Sequence, residues 1–250
     1  MYRRKAVFLY FFKTNNEMKL QFKYAFLTLC LSGAMFACKD DKDTAVKPVD
    51  EKKDSIVNEN VTIKANGVVE INSLPVPTTS TLNYNLFSFT KMGLVGVGED
   101  SINTAAWDLA FRGSGLIMAP NWGGTAPDYW DGVDKFAMNP SDVMVAGYED
   151  TTFDAITTAP AASAFIHTVG MDVSQPVYNT ETGELAYFNF PKTTVFVFKL
   201  NDGRYVKFQY ISIYKGAPEK PTAEIYQKDF GYWTFKYFIS AKGSTDLTTK

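Results

Sequence analysis

Residues 193–214 read TTVFVFKLNDGRYVKFQYISIY. β-Branched and aromatic residues fill both halves, and such side chains fit a pleated, half-buried surface better than a helix. Between the halves, Asn201-Asp202-Gly203 supplies residues that tolerate positive φ, which a tight hairpin needs. The segment therefore predicts two antiparallel strands joined by a short turn. The surrounding chain follows the same pattern: from about residue 61 to 240, apolar residues recur with period two more often than 3.6, punctuated by Gly, Pro, Asn and Asp. Further strands are expected over residues 61–74, 81–90, 105–111, 185–190 and 230–240, with Pro75 and Pro77 separating the first two. Helix signals are short, and residues 141–146 and 152–156 each read as a single turn. No repeat of solenoid or propeller spacing is present. The fold class implied is all-β, one antiparallel β-rich domain over residues 61–250.

The composition fits a folded chain. With 46% hydrophobic and 21% charged residues among 250, it is too apolar to be disordered and too charged for a multi-span membrane protein. One histidine, His167, and two cysteines, Cys30 and Cys38, narrow the chemistry further. Zinc sites built on several histidines are excluded within one chain, and a Ser-His-Asp or Cys-His mechanism would have to use His167. No Gly-rich phosphate loop precedes a helix and no GxSxG elbow occurs, so the sequence supports no enzyme reading.

Residues 25–37, AFLTLCLSGAMFA, form an apolar run preceded by Lys19 and Lys23 and ended by small residues, the pattern of a secretory signal. About 13 residues is too short for a bilayer that needs roughly 20. Met18 stands where such a signal begins, so residues 1–17 read as an extension from an upstream start. Cys38 follows Met35-Phe36-Ala37, a loose lipobox, which makes Cys38 the expected lipidation site and the membrane anchor. Cys30 would leave with the signal. Lys39-Asp40-Asp41-Lys42-Asp43 resembles the acidic export tag of surface lipoproteins of Bacteroidetes, and residues 38–60, charged and poor in aromatics, read as a flexible tether. The 25 bases and 27 acids of the chain lose six and one with residues 1–37, leaving 19 and 26 and a net charge of −7. An acidic body without a basic cluster argues against nucleic acid as a partner.

Residues 112–175 are less regular and include GSGLIMAPNWGGTAPDYWDG, rich in Gly and aromatics. Long loops in compact domains commonly carry function, so a binding site is expected here. Asp128, Asp131 and Asp134 at intervals of three are compatible with Ca²⁺ or a carboxylate acid/base pair, but the EF-hand spacing is absent and acids in Gly-rich turns serve more often as turn formers. Trp122, Tyr129 and Trp130 suit stacking on a sugar or porphyrin face and equally suit capping the core. His167 alone cannot make a bis-His site, which leaves a hydrogen-bonded structural role or a single ligand.

Three stretches, Ala106-Trp107-Asp108-Leu109-Ala110-Phe111-Arg112, Phe153-Asp154-Ala155-Ile156 with Ala159-Pro160, and Val195-Phe196-Val197-Phe198-Lys199-Leu200-Asn201-Asp202-Gly203-Arg204-Tyr205-Val206-Lys207, occur in the order found in the HmuY family, which they resemble. That family comprises haem-binding lipoproteins of Bacteroidetes. The resemblance implies an all-β, hand-like fold whose two finger loops grip haem (iron protoporphyrin IX) with two axial ligands. It also implies an outer-membrane, surface-exposed location and delivery to a TonB-dependent outer-membrane haem receptor. The best-known member uses two histidines, a pair this chain cannot supply, whereas other members use two methionines. Met118, Met138, Met144 and Met171 lie between the first and last stretches. Met144 just before the middle stretch and Met171 just after it flank it as the family's ligand-bearing segments do, and they are the expected iron ligands; Met138 and His167 are their rivals. Thioether sulfur is soft and neutral and favours Fe(II) over Fe(III) more than imidazole does. Aromatic neighbours such as Tyr129, Trp130 and Tyr148 could cover the porphyrin faces, though no spacing selects them. The alternative is a surface glycan-binding or adhesion lipoprotein using the aromatic loop, and the weakest reading is a hydrolase built on the three aspartates.

Overall fold

The hairpin forms as the sequence predicts: β12 (Val195–Lys199) pairs antiparallel with β13 (Tyr205–Tyr214), Phe196 opposite Phe208 and Lys199 opposite Tyr205. Gly203 closes the turn at φ 84, a left-handed conformation that costs glycine nothing. The computed structural model describes residues 53–76, 84–95, 104–112, 116–118, 143–167, 171–172 and 174–249, all within one unit.

The remaining strands extend outward from β13. On one side it pairs with β14 (Phe230–Ile239), followed by β3 (Val69–Pro75), β2 (Val61–Ile63) and β1 (Ser55–Asn58). On the other side β12 pairs with β8 (Met144–Tyr148), giving a seven-stranded sheet in which every pairing is antiparallel. A second, five-stranded sheet runs β5 (Gly93–Leu94), β4 (Tyr84–Ser88), β6 (Leu109–Arg112), β7 (Leu116–Met118), β9 (Met171–Asp172). A separate hairpin joins β10 (Gln175–Tyr178) to β11 (Leu185–Asn189), and α1 (Ala223–Asp229) starts at Thr222, whose hydroxyl accepts from the Ile225 N–H at 3.3 Å. The all-β expectation is met, with one short helix added among the described residues.

Strand alternation sends Trp233, Phe235 and Tyr237 of β14 and Phe208 of β13 toward the five-stranded sheet, which answers with Phe87 and Phe111 and with Phe89 just beyond β4. Ring centroids lie 5.1 Å apart for Phe87 and Phe235, 4.9 Å for Phe89 and Tyr237 and 4.2 Å for Phe111 and Trp233. Pairs of this kind contribute about 0.5–1.5 kcal/mol beyond their buried area. The Tyr237 hydroxyl donates to the Phe89 carbonyl at 2.9 Å, tying the sheets together, and burial pushes its pKa far up.

The opposite face of β13 is also covered. Lys207 is fully buried there, and its ammonium donates to the carbonyls of Ile156 at 2.9 Å and Leu247 at 2.8 Å and to the Thr249 hydroxyl at 3.1 Å. It also lies 4.3 Å from the centre of the Phe153 ring. Gln209 donates to the Lys192 carbonyl. Phe165, Ala146, Val197 and Leu247 pack alongside as a second apolar cluster.

Several expectations are corrected. Residues 144–146, expected in a helical turn, begin strand β8, because the free edge of β12 offers a five-residue ladder that outweighs local preference. The expected turn at 152–156 is a single 3-10 turn at Phe153–Ala155. The strand expected over 61–74 is two strands, β2 and β3, joined by a turn in which Gly67 takes φ 83 and its N–H donates to the Lys64 carbonyl at 2.8 Å. β1 lies inside the stretch assigned to the tether: its Asp54 flank accepts from the Ala65 N–H at 2.8 Å and pairs with Lys64, so the folded part begins before residue 61. Cys38 and the signal lie outside the described residues.

Two measurements check this arrangement. Among the described residues the buried Tyr210 hydroxyl has no hydrogen-bond partner, whereas that of Tyr237 does. Tyr210→Phe should therefore raise the unfolding free energy, and Tyr237→Phe should lower it, each by about 1 kcal/mol in urea titrations of unchanged slope. Burial, partly countered by the Asp154 charge, lowers Lys207 from 10.5 to about 8. Between those values the unfolded chain holds the extra proton, so stability from this group rises as pH rises from about 8 toward 10.5. The stability of the wild type relative to Lys207→Met should accordingly increase between pH 8 and pH 10.

Candidate functional site

Met144 opens β8, the edge strand of the seven-stranded sheet, opposite Lys199. Its side chain is half-buried against the Phe165, Val197 and Leu247 cluster. The segment after the 3-10 turn at Ala162–Ala164 returns along the outer side of β8, where Val145 and Ile166 exchange two backbone hydrogen bonds of 2.9 Å. That antiparallel register sets Phe165 opposite Ala146 and His167 opposite Met144. His167 is exposed, and Ile166 leaves 60% of its surface open.

From His167 the chain reaches Met171 in four residues, a span of at most about 14 Å. Met171 starts β9, the edge strand of the five-stranded sheet, and pairs with Ile117, while Met118 in β7 pairs with Ala110. The structure thus brings Met144 beside His167 and sets Met171 a short chain length away on the edge of the other sheet. Met118 sits one strand further in. Tyr148 lies at the far end of β8 from Met144, with its hydroxyl pKa raised by burial. Met138, Asp128, Asp131, Asp134, Trp122, Tyr129 and Trp130 lie outside the described residues.

The donor set at this edge is selective. Among the described residues no three His, Cys, Asp or Glu side chains gather as a metal cage. A thioether and an imidazole are neutral, soft to borderline donors, of the kind that ligate haem iron axially and unlike the oxygen cages of Ca²⁺ or Mg²⁺. The apolar bed of Met144 and the exposed Ile166 suit a flat hydrophobic ligand rather than a hydrated ion.

Two of the three motif stretches meet elsewhere. The Asp108 carboxylate accepts from the Phe89 N–H at 2.8 Å, and burial raises its pKa against the opposing pull of that N–H, the Ser88 hydroxyl and Arg204. Arg204 donates from Nε to Asp202 at 2.7 Å and from Nη2 to the Thr90 hydroxyl at 2.9 Å. These groups border a cleft of about 290 Å³ between the β12–β13 turn and the chain leading into β6. Its polar atoms engage one another, so the junction fastens the hairpin turn to the five-stranded sheet. The middle stretch also packs: Phe153 is buried beneath Lys207 and Lys236, 4.3 Å and 4.6 Å from their ammonium nitrogens. Sequence reasoning missed Lys207 as an organising residue; a lone cation at an inward position of an otherwise aromatic strand was the available signal.

No family model and no curated protein matches the chain. Among solved structures, a protein described as an HmuY-like heme-binding protein from Bacteroides vulgatus shares 13% identity over 69% of this chain and 90% of that one, with a TM-score of 0.35. The apo HmuY analog of Tannerella forsythia shares 15% identity over 64% and 80%, with a TM-score of 0.34. The chain is similar to HmuY-like proteins at this level. A protein described as a lipoprotein from Bacteroides fragilis shares 13% identity over 69% and 88%, with a TM-score of 0.34. No helix among the described residues is long and apolar enough to cross a membrane.

The junction around Asp108 predicts a measurable cost. Asp108→Ala leaves the Phe89 N–H without its acceptor and should lower stability by about 1–3 kcal/mol, whereas Asp108→Asn, which keeps an acceptor oxygen, should cost less in the same urea titration.

Proposed function

We propose that this protein is a haem-binding surface lipoprotein that holds iron protoporphyrin IX between two axial thioethers, Met144 and Met171, and hands it to an outer-membrane receptor. The observation that carries the reading is that β8, opening with Met144, and β9, opening with Met171, are edge strands of their sheets, and that the chain bridging β8 at Ile166 has only four residues to go from His167 to Met171. The ordered HmuY-like motifs in the sequence point to the same ligand, and the donor chemistry at the edge fits it.

Haem supplies an iron with two open axial positions, one on each face of a flat ring. Extending the Val145–Ile166 bridge by one residue sets Met144 and His167 opposite each other on the same side of adjacent chain segments. From there they cannot reach opposite faces of the ring without driving its edge into the sheet beneath. Met171 sits on a different sheet and is free of that constraint, so it is the better partner for Met144. Ile166, largely exposed beside this edge, offers apolar contact to the macrocycle. Ligation by two neutral side chains is reversible, as capture and delivery require, and needs no catalytic group. An acylated Cys38 would hold the domain at the outer membrane through the tether.

Titrating the chain beginning at Cys38 with haem, with and without dithionite, tests this. A shifted Soret band and sharp visible bands are expected, better defined in the reduced state. Met144→Ala and Met171→Ala should each abolish the low-spin spectrum and weaken binding by about tenfold or more, equivalent to at least 1.4 kcal/mol. His167→Ala should leave the spectrum intact. No spectral change in either redox state would remove the haem reading, and retention of the low-spin spectrum in both methionine variants would reassign the ligands.

A further inference from the structure

Residues 240–249 are held by a dense set of contacts to distant parts of the chain. The Ser240 N–H donates to the Tyr205 carbonyl and the Ser240 hydroxyl accepts from the Tyr205 N–H, at 2.9 Å each. Further on, Ala159 N–H donates to Thr245 O at 2.8 Å, Leu247 N–H donates to Thr157 O at 2.9 Å, and Thr158 bridges Asp246. The Thr249 hydroxyl donates to Asp154 at 3.1 Å while accepting from Lys207, and the Asn66 amide donates to the Thr249 carbonyl. Leu247 is fully buried, and Thr249 is 4% exposed. The groups facing Lys207 are thus the Phe153 ring, Asp154, Asp246, Lys236, Thr249 and two backbone carbonyls.

The segment clamped in this way leads directly to the site. After Ala159 the chain turns through Ala162–Ala164, packs Phe165 against Leu247 and Tyr205, bridges Val145 at Ile166 and then runs on to Met171. Leu247 belongs to the same apolar cluster that beds Met144. We propose that residues 240–249 are a strap, with Lys207 as its pin, that fixes residues 154–166 against the apolar bed of Met144, which makes Lys207 and Thr249 positioning residues for ligand capture. The inference rests on the haem reading for its consequence, though not for the strap itself.

Hydrogen exchange on the haem-free chain tests the strap. In Lys207→Met and in the milder Thr249→Val, the amides of Ala159, Ile166 and Leu247 should exchange about tenfold faster while those of β13 and β14 keep their protection. Unchanged exchange in both variants overturns the strap, and if Lys207→Met loses β13 and β14 protection, Thr249→Val decides. Haem titration then tests positioning. The variants should show a mixed high-spin and low-spin reduced spectrum and faster haem loss, with Met144 and Met171 intact. Faster exchange with a wild-type spectrum and wild-type haem loss overturns the positioning role. A wild-type chain that binds no haem removes that role together with the haem reading, whereas the exchange result continues to decide the strap.

Discussion

β13 is buried on both faces, and that constraint organises the molecule. Its Val206, Phe208 and Tyr210 side chains meet the aromatic core between the sheets, which needs only apolar partners of suitable shape. Its Lys207 and Gln209 side chains point the other way and would be costly to bury unless every donor found an acceptor. The acceptors come from chain far away in sequence: the carbonyls of Ile156, Leu247 and Lys192 and the hydroxyl of Thr249. One strand thereby demands both a second sheet on one side and a layer of irregular chain on the other. The lowered pKa of Lys207 records the cost of that demand, and the three hydrogen bonds and the Phe153 ring are what offset it.

What the sequence made legible follows the range of the interactions involved. The β12–β13 hairpin is local, with its alternation and its Asn-Asp-Gly turn in one window, and it forms as expected. β8 depends on pairing with β12, far along the chain, and the same residues read alone as a helical turn. α1 escaped notice because seven residues give little periodicity; it is held by the Thr222 cap, the Glu224–Lys228 pair and contacts of Ile225 and Tyr226 with the core. β1 was hidden by composition, since four wholly exposed residues in a charged stretch look like tether until β2 is there to pair with them.

The candidate site shows the same division. Met144 was singled out by its place before the middle motif, and the structure finds it half-buried at the start of the edge strand β8. The neighbouring position of His167 was not visible, because it is set by two hydrogen bonds between Val145 and Ile166 rather than by any local pattern. The same register puts His167 and Met144 opposite each other on adjacent chain segments, a relation that counting residue types does not reveal.

The motif residues and the proposed ligands fall in different places, and the separation has a physical consequence. Trp107, Asp108, Phe153, Arg204 and Lys207 are engaged in packing, in the hairpin junction and in the outer-face network. Met144 and Met171 lie on edge strands, where a side chain has fewer neighbours to satisfy. A thioether and an imidazole can be exchanged at an edge without disturbing the aromatic core or leaving a buried donor unpaired, whereas replacing Lys207 strands several acceptors at once. Under the proposed reading, a change of ligand side chain at these edges would leave the residues that hold the frame in place, and ligation by methionine sulfur would ask nothing of the buried network.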